Sequence, residues 1–284
     1  MEMKQLLTAV LSVLAIAGYA QDLSPKKNES GKYGFVNKAG KEVIPFKYEK
    51  TGYSFHEGLI AVKLDGKYGF IDETGKVVIP FKYDDAIYFK DGFAQVELNK
   101  KSGYIDKKGK EITALKYDVA FDFYEGIAKV RLDEKYGFID VSGREITPLK
   151  YEDGNNFKNG YASVKLKNKW GFIDKTGKEF TKFKYDYAKD FNDGVAPVEK
   201  NKLYGAIDKN GNEIIPFKYR FIADFEDGLA KVGLNGREGF INRTGEEVIP
   251  IKYDAVGSFE NGVARFRLNG RWGAMDKTGK EITR

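Results

Sequence analysis

Residues 126–151 read GIAKVRLDEKYGFIDVSGREITPLKY, and three short strands are legible in them. Ile127 to Leu132 alternates apolar and polar side chains, Tyr136 to Asp140 is an aromatic-rich run, and Arg144 to Tyr151 is strand-like again. This is the period-2 pattern of half-buried β-strands. Between the second and third strands, Asp140-x-x-Gly143 suits a tight turn in which the aspartate bonds nearby amides and the glycine takes a positive φ. The segment reads as a three-stranded meander.

The same segment recurs along the chain. A glycine that usually follows an aromatic residue stands at Gly34, Gly69, Gly103, Gly137, Gly171, Gly205, Gly239 and Gly273, spaced by 35 once and by 34 six times. A second glycine follows six residues after each, from Gly40 to Gly279, and a Lys-Tyr pair closes the segment at Tyr48, Tyr83, Tyr117, Tyr151, Tyr185, Tyr219 and Tyr253. A phenylalanine and, three residues later, another glycine complete the period, as at Phe123 and Gly126. The one extra residue of the first unit lies between Tyr48 and Phe55, where a loop absorbs it. Such a short unit cannot bury both faces of its own sheet, so its copies must stack. Proline recurs at Pro45, Pro80, Pro148, Pro216 and Pro250 in the third strand. It donates nothing to a ladder, so this strand is expected to be bulged or at an edge.

The expected fold is all-β: tandem repeats of about 34 residues forming three-stranded meanders, about seven full repeats plus a terminal hairpin. The chain begins and ends with the same aromatic-glycine hairpin, Lys32 to Tyr48 and Arg271 to Thr283. A ring closed by its termini needs complementary strands there, so an open β-solenoid or superhelical stack is the leading arrangement and a closed β-propeller-like ring the alternative.

Ahead of the repeats, a short charged stretch, an apolar run from Leu6 to Ala17 and Gly18-Tyr19-Ala20 read as a signal peptide over residues 1–20. The apolar run is shorter than the roughly 20 residues of a membrane span. Residues 21–30, QDLSPKKNES, read as a linker and residues 31–284 as the repeat domain. A secreted or periplasmic location, with no membrane span after cleavage, is the expectation. With no cysteine in the chain there is neither a disulfide framework nor a thiolate metal site, so stability rests on packing. Basic residues number 48 against 42 acidic, interspersed along the chain, which lacks the basic blocks of a nucleic-acid binder.

The run KYGFIDETGKVVIPFKYD at residues 67–84, repeated with variations from Gly31 onward, resembles the WG-repeat (KWG) family. Trp170-Gly171 and Trp272-Gly273 match its Trp-Gly, Tyr replaces Trp at Tyr33, Tyr68, Tyr136 and Tyr204, and Ser102 and Glu238 depart from it. The resemblance implies an all-β repeat protein and supplies no mechanism.

Catalytic groups are sparse. The sole histidine, His56, has no serine elbow or metal motif beside it and reads as a solvated loop residue. The acids recur with the repeat and mark out no single pair. DKNGNE, Asp208 to Glu213, is the turn most like a calcium loop, yet most copies place Lys and Thr between Asp and Gly, and the hairpin-turn reading is preferred. No enzyme activity, cofactor or metal is expected. Lysines before the repeated tyrosines, Lys47 to Lys252, form a row whose charge the following acids largely offset, with Arg220 the exception.

The aromatics before the glycines, Tyr33, Tyr68, Tyr136, Trp170, Tyr204 and Trp272, are the candidate binding residues, with inter-unit core packing as the competing role. The functional expectation is a non-catalytic extracytoplasmic binding or scaffold protein that presents a repeated β surface to a protein partner. The alternative is binding of a carbohydrate or cell-envelope glycan through the aromatic and lysine rows.

Overall fold

The computed structural model describes residues 23–282, and the signal peptide read over residues 1–20 lies outside them. Every element among the described residues is a strand, and no helix there is long and apolar enough to cross a membrane. The described residues divide into two compact units, with the boundary between Gly92 and Phe93.

In the first unit, Ser24–Lys27, Tyr33–Val36 and Glu42–Tyr48 form a three-stranded antiparallel sheet. Lys50–Thr51, Leu59–Leu64, Lys67–Asp72 and Val77–Tyr83 form a four-stranded one. The second unit repeats the pattern: Val119–Tyr124, Ile127–Leu132, Lys135–Asp140 and Glu145–Tyr151 are one four-stranded meander, with further sheets of three or four strands after it. Each of these sheets keeps two free edges and none closes into a barrel.

Two expectations are corrected. The meander commonly gains a fourth, two-residue strand from the segment read as a joining loop, as at Lys50–Thr51 and Tyr187–Ala188. There the chain pairs briefly with the next strand before turning away. The segment read as a linker carries the strand Ser24–Lys27, paired with Tyr33–Val36. Its cause is a turn of the repeated kind: the Asn28 side-chain oxygen accepts from the Lys32 amide at 2.9 Å, and the Gly31 amide donates to the Asn28 carbonyl at 3.0 Å. Asn28-Glu29-Ser30-Gly31 is thus one more copy of Asp-x-x-Gly.

Those turns form as their sequence dictates. Asp140 Oδ1 accepts from the Ser142 amide at 2.9 Å, the Ser142 hydroxyl at 2.6 Å and the Arg144 amide at 3.2 Å, while Gly143 adopts φ +82°. Partial burial opposes ionisation of this carboxyl, but the hydrogen bonds prevail and hold it below its ordinary range. The first two strands of the meander meet in a tighter turn, whose Asp133 and Glu134 both have positive φ, 50° and 60°. Two successive left-handed residues are the signature of a type I′ turn, whose twist matches that of the strands it joins.

The glycine after the aromatic has a different role. Tyr68 pairs with Tyr83 and Phe70 with Ile79, so Gly69 faces three residues, Pro80 to Lys82. A Cβ on Gly69 would lie 2.6 Å from the Ile79 carbonyl oxygen and 2.9 Å from the Phe81 ring. The missing side chain therefore admits the bulge, and the proline sits where no ladder bond is needed. Where proline is replaced, by Ala114 and Lys182, the third segment shrinks to isolated bridges, Ser102 to Tyr117 and Trp170 to Tyr185 among them. Proline's fixed φ, and the extended conformation it imposes on its predecessor, are lost there.

Within each unit the sheets stack face to face. In the first, Phe35, Ile44 and Tyr48 meet Ile60, Val62 and Ile71 of the next sheet. In the second, Trp170, Phe172 and Tyr185 meet Ala196, Val198 and Ile207. The tyrosine of each Lys-Tyr pair is almost wholly buried, which makes it the recurrent centre of the core.

Replacing Gly69 by alanine should cost about 2–3 kcal/mol, because the added carbon meets backbone rather than a yielding side chain. Denaturant melting followed by circular dichroism reads this directly, and an unchanged midpoint would remove the close-approach account.

Candidate functional site

The aromatic row does not form one exposed ladder. Tyr33 and Tyr68, in the first unit, are half-buried beneath lysines, with Lys27 Nζ 5.5 Å and Lys63 Nζ 5.4 Å from the ring centres. In the second unit Tyr136 packs against the Phe138 cluster, Trp170 is 8% exposed, and Tyr204 packs against the Ile215 cluster. Burial, then the Glu199 carboxylate, pushes the Tyr204 hydroxyl up to about 12. Trp272 differs: it is 69% exposed, with the Arg267 guanidinium 6.0 Å from its ring centre. Five of the six rings thus contribute to packing, and each second-unit ring occupies its own place in the stack.

The lysine row is engaged between repeats. Lys116, Lys150 and Lys184 reach Glu145, Glu179 and Glu213 of the following repeat at 2.8, 2.7 and 2.7 Å. The Tyr151 hydroxyl donates to the same Glu179 at 2.9 Å, completing a Lys-Tyr-Glu triad. Burial raises the pKa of the Tyr151 hydroxyl, and the neighbouring carboxylate adds to the shift.

The acid after each tyrosine has another partner. Asp118 pairs with Lys101 at 2.6 Å and accepts from the Asp133 amide at 2.8 Å, so it holds the type I′ turn of its own repeat. Lys67 with Asp84 and Lys169 with Asp186 repeat the pairing. A further staple links successive turns: Glu125 accepts from the Asn159 and Gly160 amides at 2.7 and 2.9 Å and from Lys175 Nζ at 3.0 Å. In DKNGNE, Asp208 Oδ1 accepts from the Asn210 and Asn212 amides at 2.8 and 2.9 Å, as in the other turns.

Function is therefore sought where the repeat rule breaks, and two places stand out. In the first unit the extra residue puts Tyr53 on a loop, 98% exposed. Beside it His56 is half-buried rather than solvated, its ring 4.5 Å from that of Tyr88 and its Nε2 3.1 Å from Ser54 Oγ. These residues, with Tyr68 and Thr51, line a pocket of about 280 Å³. The signals for it were the single 35-residue spacing and the only histidine.

In the second unit Leu203 stands where the other repeats carry Lys or Arg, and Arg220 stands where they carry the acid. The pairing of Tyr204 with Tyr219 sets Leu203 and Arg220 opposite one another, one step further along. Leu203 is 40% exposed, and Tyr187, 42% exposed, lies two strands away in the same sheet. A second-unit pocket of about 320 Å³ is lined by Asp224, Asp227, Lys189 and Lys277, which pair as Lys189–Asp224 at 3.2 Å and Lys277–Asp227 at 2.7 Å.

One break in the rule concerns stability. The Tyr48 hydroxyl, like those of Tyr83, Tyr185 and Tyr219, is buried without a hydrogen-bond partner, and only for Tyr48 is the position that supplies glutamate to Tyr151 occupied by another residue, Val77, 42% exposed. Val77→Glu should complete the triad with Lys47 and Tyr48 and stabilise the first unit by up to about 1 kcal/mol. Thermal melting of the variant against the parent chain is the measurement, and a lowered melting temperature would contradict the assigned role of the glutamate.

The family model described as WG containing repeat matches residues 33–68, 68–101, 103–136, 136–170, 170–204, 204–237 and 239–272. No curated protein matches the chain. Among solved structures it is similar to a eukaryotic initiation factor, at 12% identity over 94% of this chain and 84% of that one, with a TM-score of 0.45. It is also similar to KlHsv2 with its loop 6CD replaced by a Gly-Ser linker, at 10% identity over 77% and 88% of the two chains and a TM-score of 0.37. A third is PorZ, a surface component of the type-IX secretion system of Porphyromonas gingivalis, at 9% identity over 83% and 37% and a TM-score of 0.31. Likenesses this distant carry no argument about function. The family matches, by contrast, run almost without a break from residue 33 to residue 272, in step with the sheets, and the chain belongs to the WG containing repeat family.

Proposed function

We propose that this chain is an exported, non-catalytic binding scaffold that presents its repeat surface to a protein partner. The observation that carries the reading is the joint departure at Leu203 and Arg220. Elsewhere a cation and an acid face each other at these positions and hold the hairpin turn, as Lys101 and Asp118 do. Here the pair is exchanged for an exposed leucine and an exposed arginine. Arginine is among the residues through which protein interfaces gain most of their binding energy, and an apolar neighbour excludes water from it.

Export is supported by the apolar run from Leu6 to Ala17 followed by Gly18-Tyr19-Ala20. Recurring acids such as Asp118, Glu125, Asp140 and Glu179 are engaged in turn capping and inter-repeat ion pairs, which favours a framework over a reaction centre.

The pair L203K/R220D restores the common repeat pattern and should leave the melting temperature within about 2 °C of the parent. Affinity capture from the cell envelope of the native host should then lose a partner that the parent chain retains. An identical set of captured proteins would count against this surface. Mass spectrometry of the exported protein should find Gln21 at its N-terminus, and a mature chain still carrying Met1 would defeat the export reading.

A further inference from the structure

We infer that the first unit holds a saccharide-binding pocket, independent of the Leu203 surface, formed by the insertion loop around Tyr53 and the Tyr88 segment of the next repeat. The extra residue lifts Tyr53 clear of the sheet, so that its ring is almost entirely exposed. The same pocket is lined by the His56 and Tyr88 rings, which pack on one another 4.5 Å apart with 30° between their planes, and Ser54 holds the imidazole by its Nε2. Aromatic side chains lining a pocket offer large contact area at small entropic cost, because few torsions need be frozen.

The polar groups narrow the ligand class. Thr51, at the lining, keeps its Oγ1 buried with no hydrogen-bond partner. A ligand hydroxyl entering beside it would satisfy that group, whereas an apolar or aromatic side chain from a partner would leave the desolvation cost unrelieved. The lining includes no Lys, Arg, Asp or Glu, which disfavours a phosphate or other ionic ligand. At about 280 Å³ the pocket lies just below the usual range for small-molecule sites and suits a single ring. A neutral pyranose combines what these walls require: C–H faces to lie on the tyrosine rings and hydroxyls at its rim.

The test uses the full mature chain, isotopically labelled, titrated with glucose, galactose, mannose and N-acetylglucosamine and their short oligomers while amide resonances are followed. At least one sugar should shift the resonances of residues 51–61 and 86–88 with a dissociation constant in roughly the millimolar range or tighter. Tyr53→Ala should weaken that binding about tenfold or more, and because the ring is exposed the melting temperature should not move. Thr51→Val, which keeps the side-chain shape, should weaken it about fivefold. No shift in these segments with any sugar at about 10 mM would overturn the proposal. So would binding that survives both substitutions, or binding of N-acetyl-tyrosine amide in place of every sugar, which would make the pocket a seat for a peptide side chain.

Discussion

A single close approach organises each repeat: the glycine after the aromatic lies against the carbonyl and ring of the bulged third strand. At Gly69 the space a Cβ would occupy is already taken by the Ile79 oxygen and Phe81. The bulge this permits brings Tyr83 back into register with Tyr68, and Tyr83 is fully buried. Displacing the bulge would shift the tyrosine and with it the centre of the core. The proline that often marks this strand is a consequence, since a bulge is among the few places in a sheet where a missing donor costs nothing.

From this core outward, the charges do most of their work between and within repeats. Lys116, Lys150 and Lys184, each ahead of a buried tyrosine, reach forward to a glutamate of the next repeat, while acids after the tyrosine, such as Asp118, reach back to a lysine and cap a turn. Exposed pairs of this kind contribute little singly, but here they also satisfy a buried hydroxyl or turn amides. Partial burial works against the Glu125 carboxylate, yet Lys175 and the Gly160 and Asn159 amides hold it ionised below its ordinary range. A chain without cysteine thus joins its copies through apolar faces and an ordered row of staples.

Because the regular positions are so fully engaged, irregularity becomes informative. An inserted residue that exposes Tyr53, or a cation and acid replaced together by Leu203 and Arg220, has no counterpart in the other repeats and no part in the stacking described. Loops and turn edges are also where a rigid array can vary without disturbing its core. The proposed protein surface and sugar pocket both lie at such points.

The sequence by itself determined the period, the strands, the Asp-x-x-Gly turns and the bulged proline, because each depends on residues close together in the chain and is repeated often enough to separate signal from chance. It also held the strand at Ser24–Lys27, whose Asn28-x-x-Gly31 turn obeys the same rule with asparagine for aspartate. Only the tertiary structure decided the role of the aromatic row: whether Trp170 or Trp272 faces solvent depends on the sheet stacked against it, and the two share the same local motif. The pairing of lysines with distant glutamates, and the meeting of Tyr53, His56 and Tyr88 around one pocket, were likewise settled by contacts across repeats. Local sequence specifies which way a strand turns, whereas burial and ion pairing depend on what another part of the chain brings alongside.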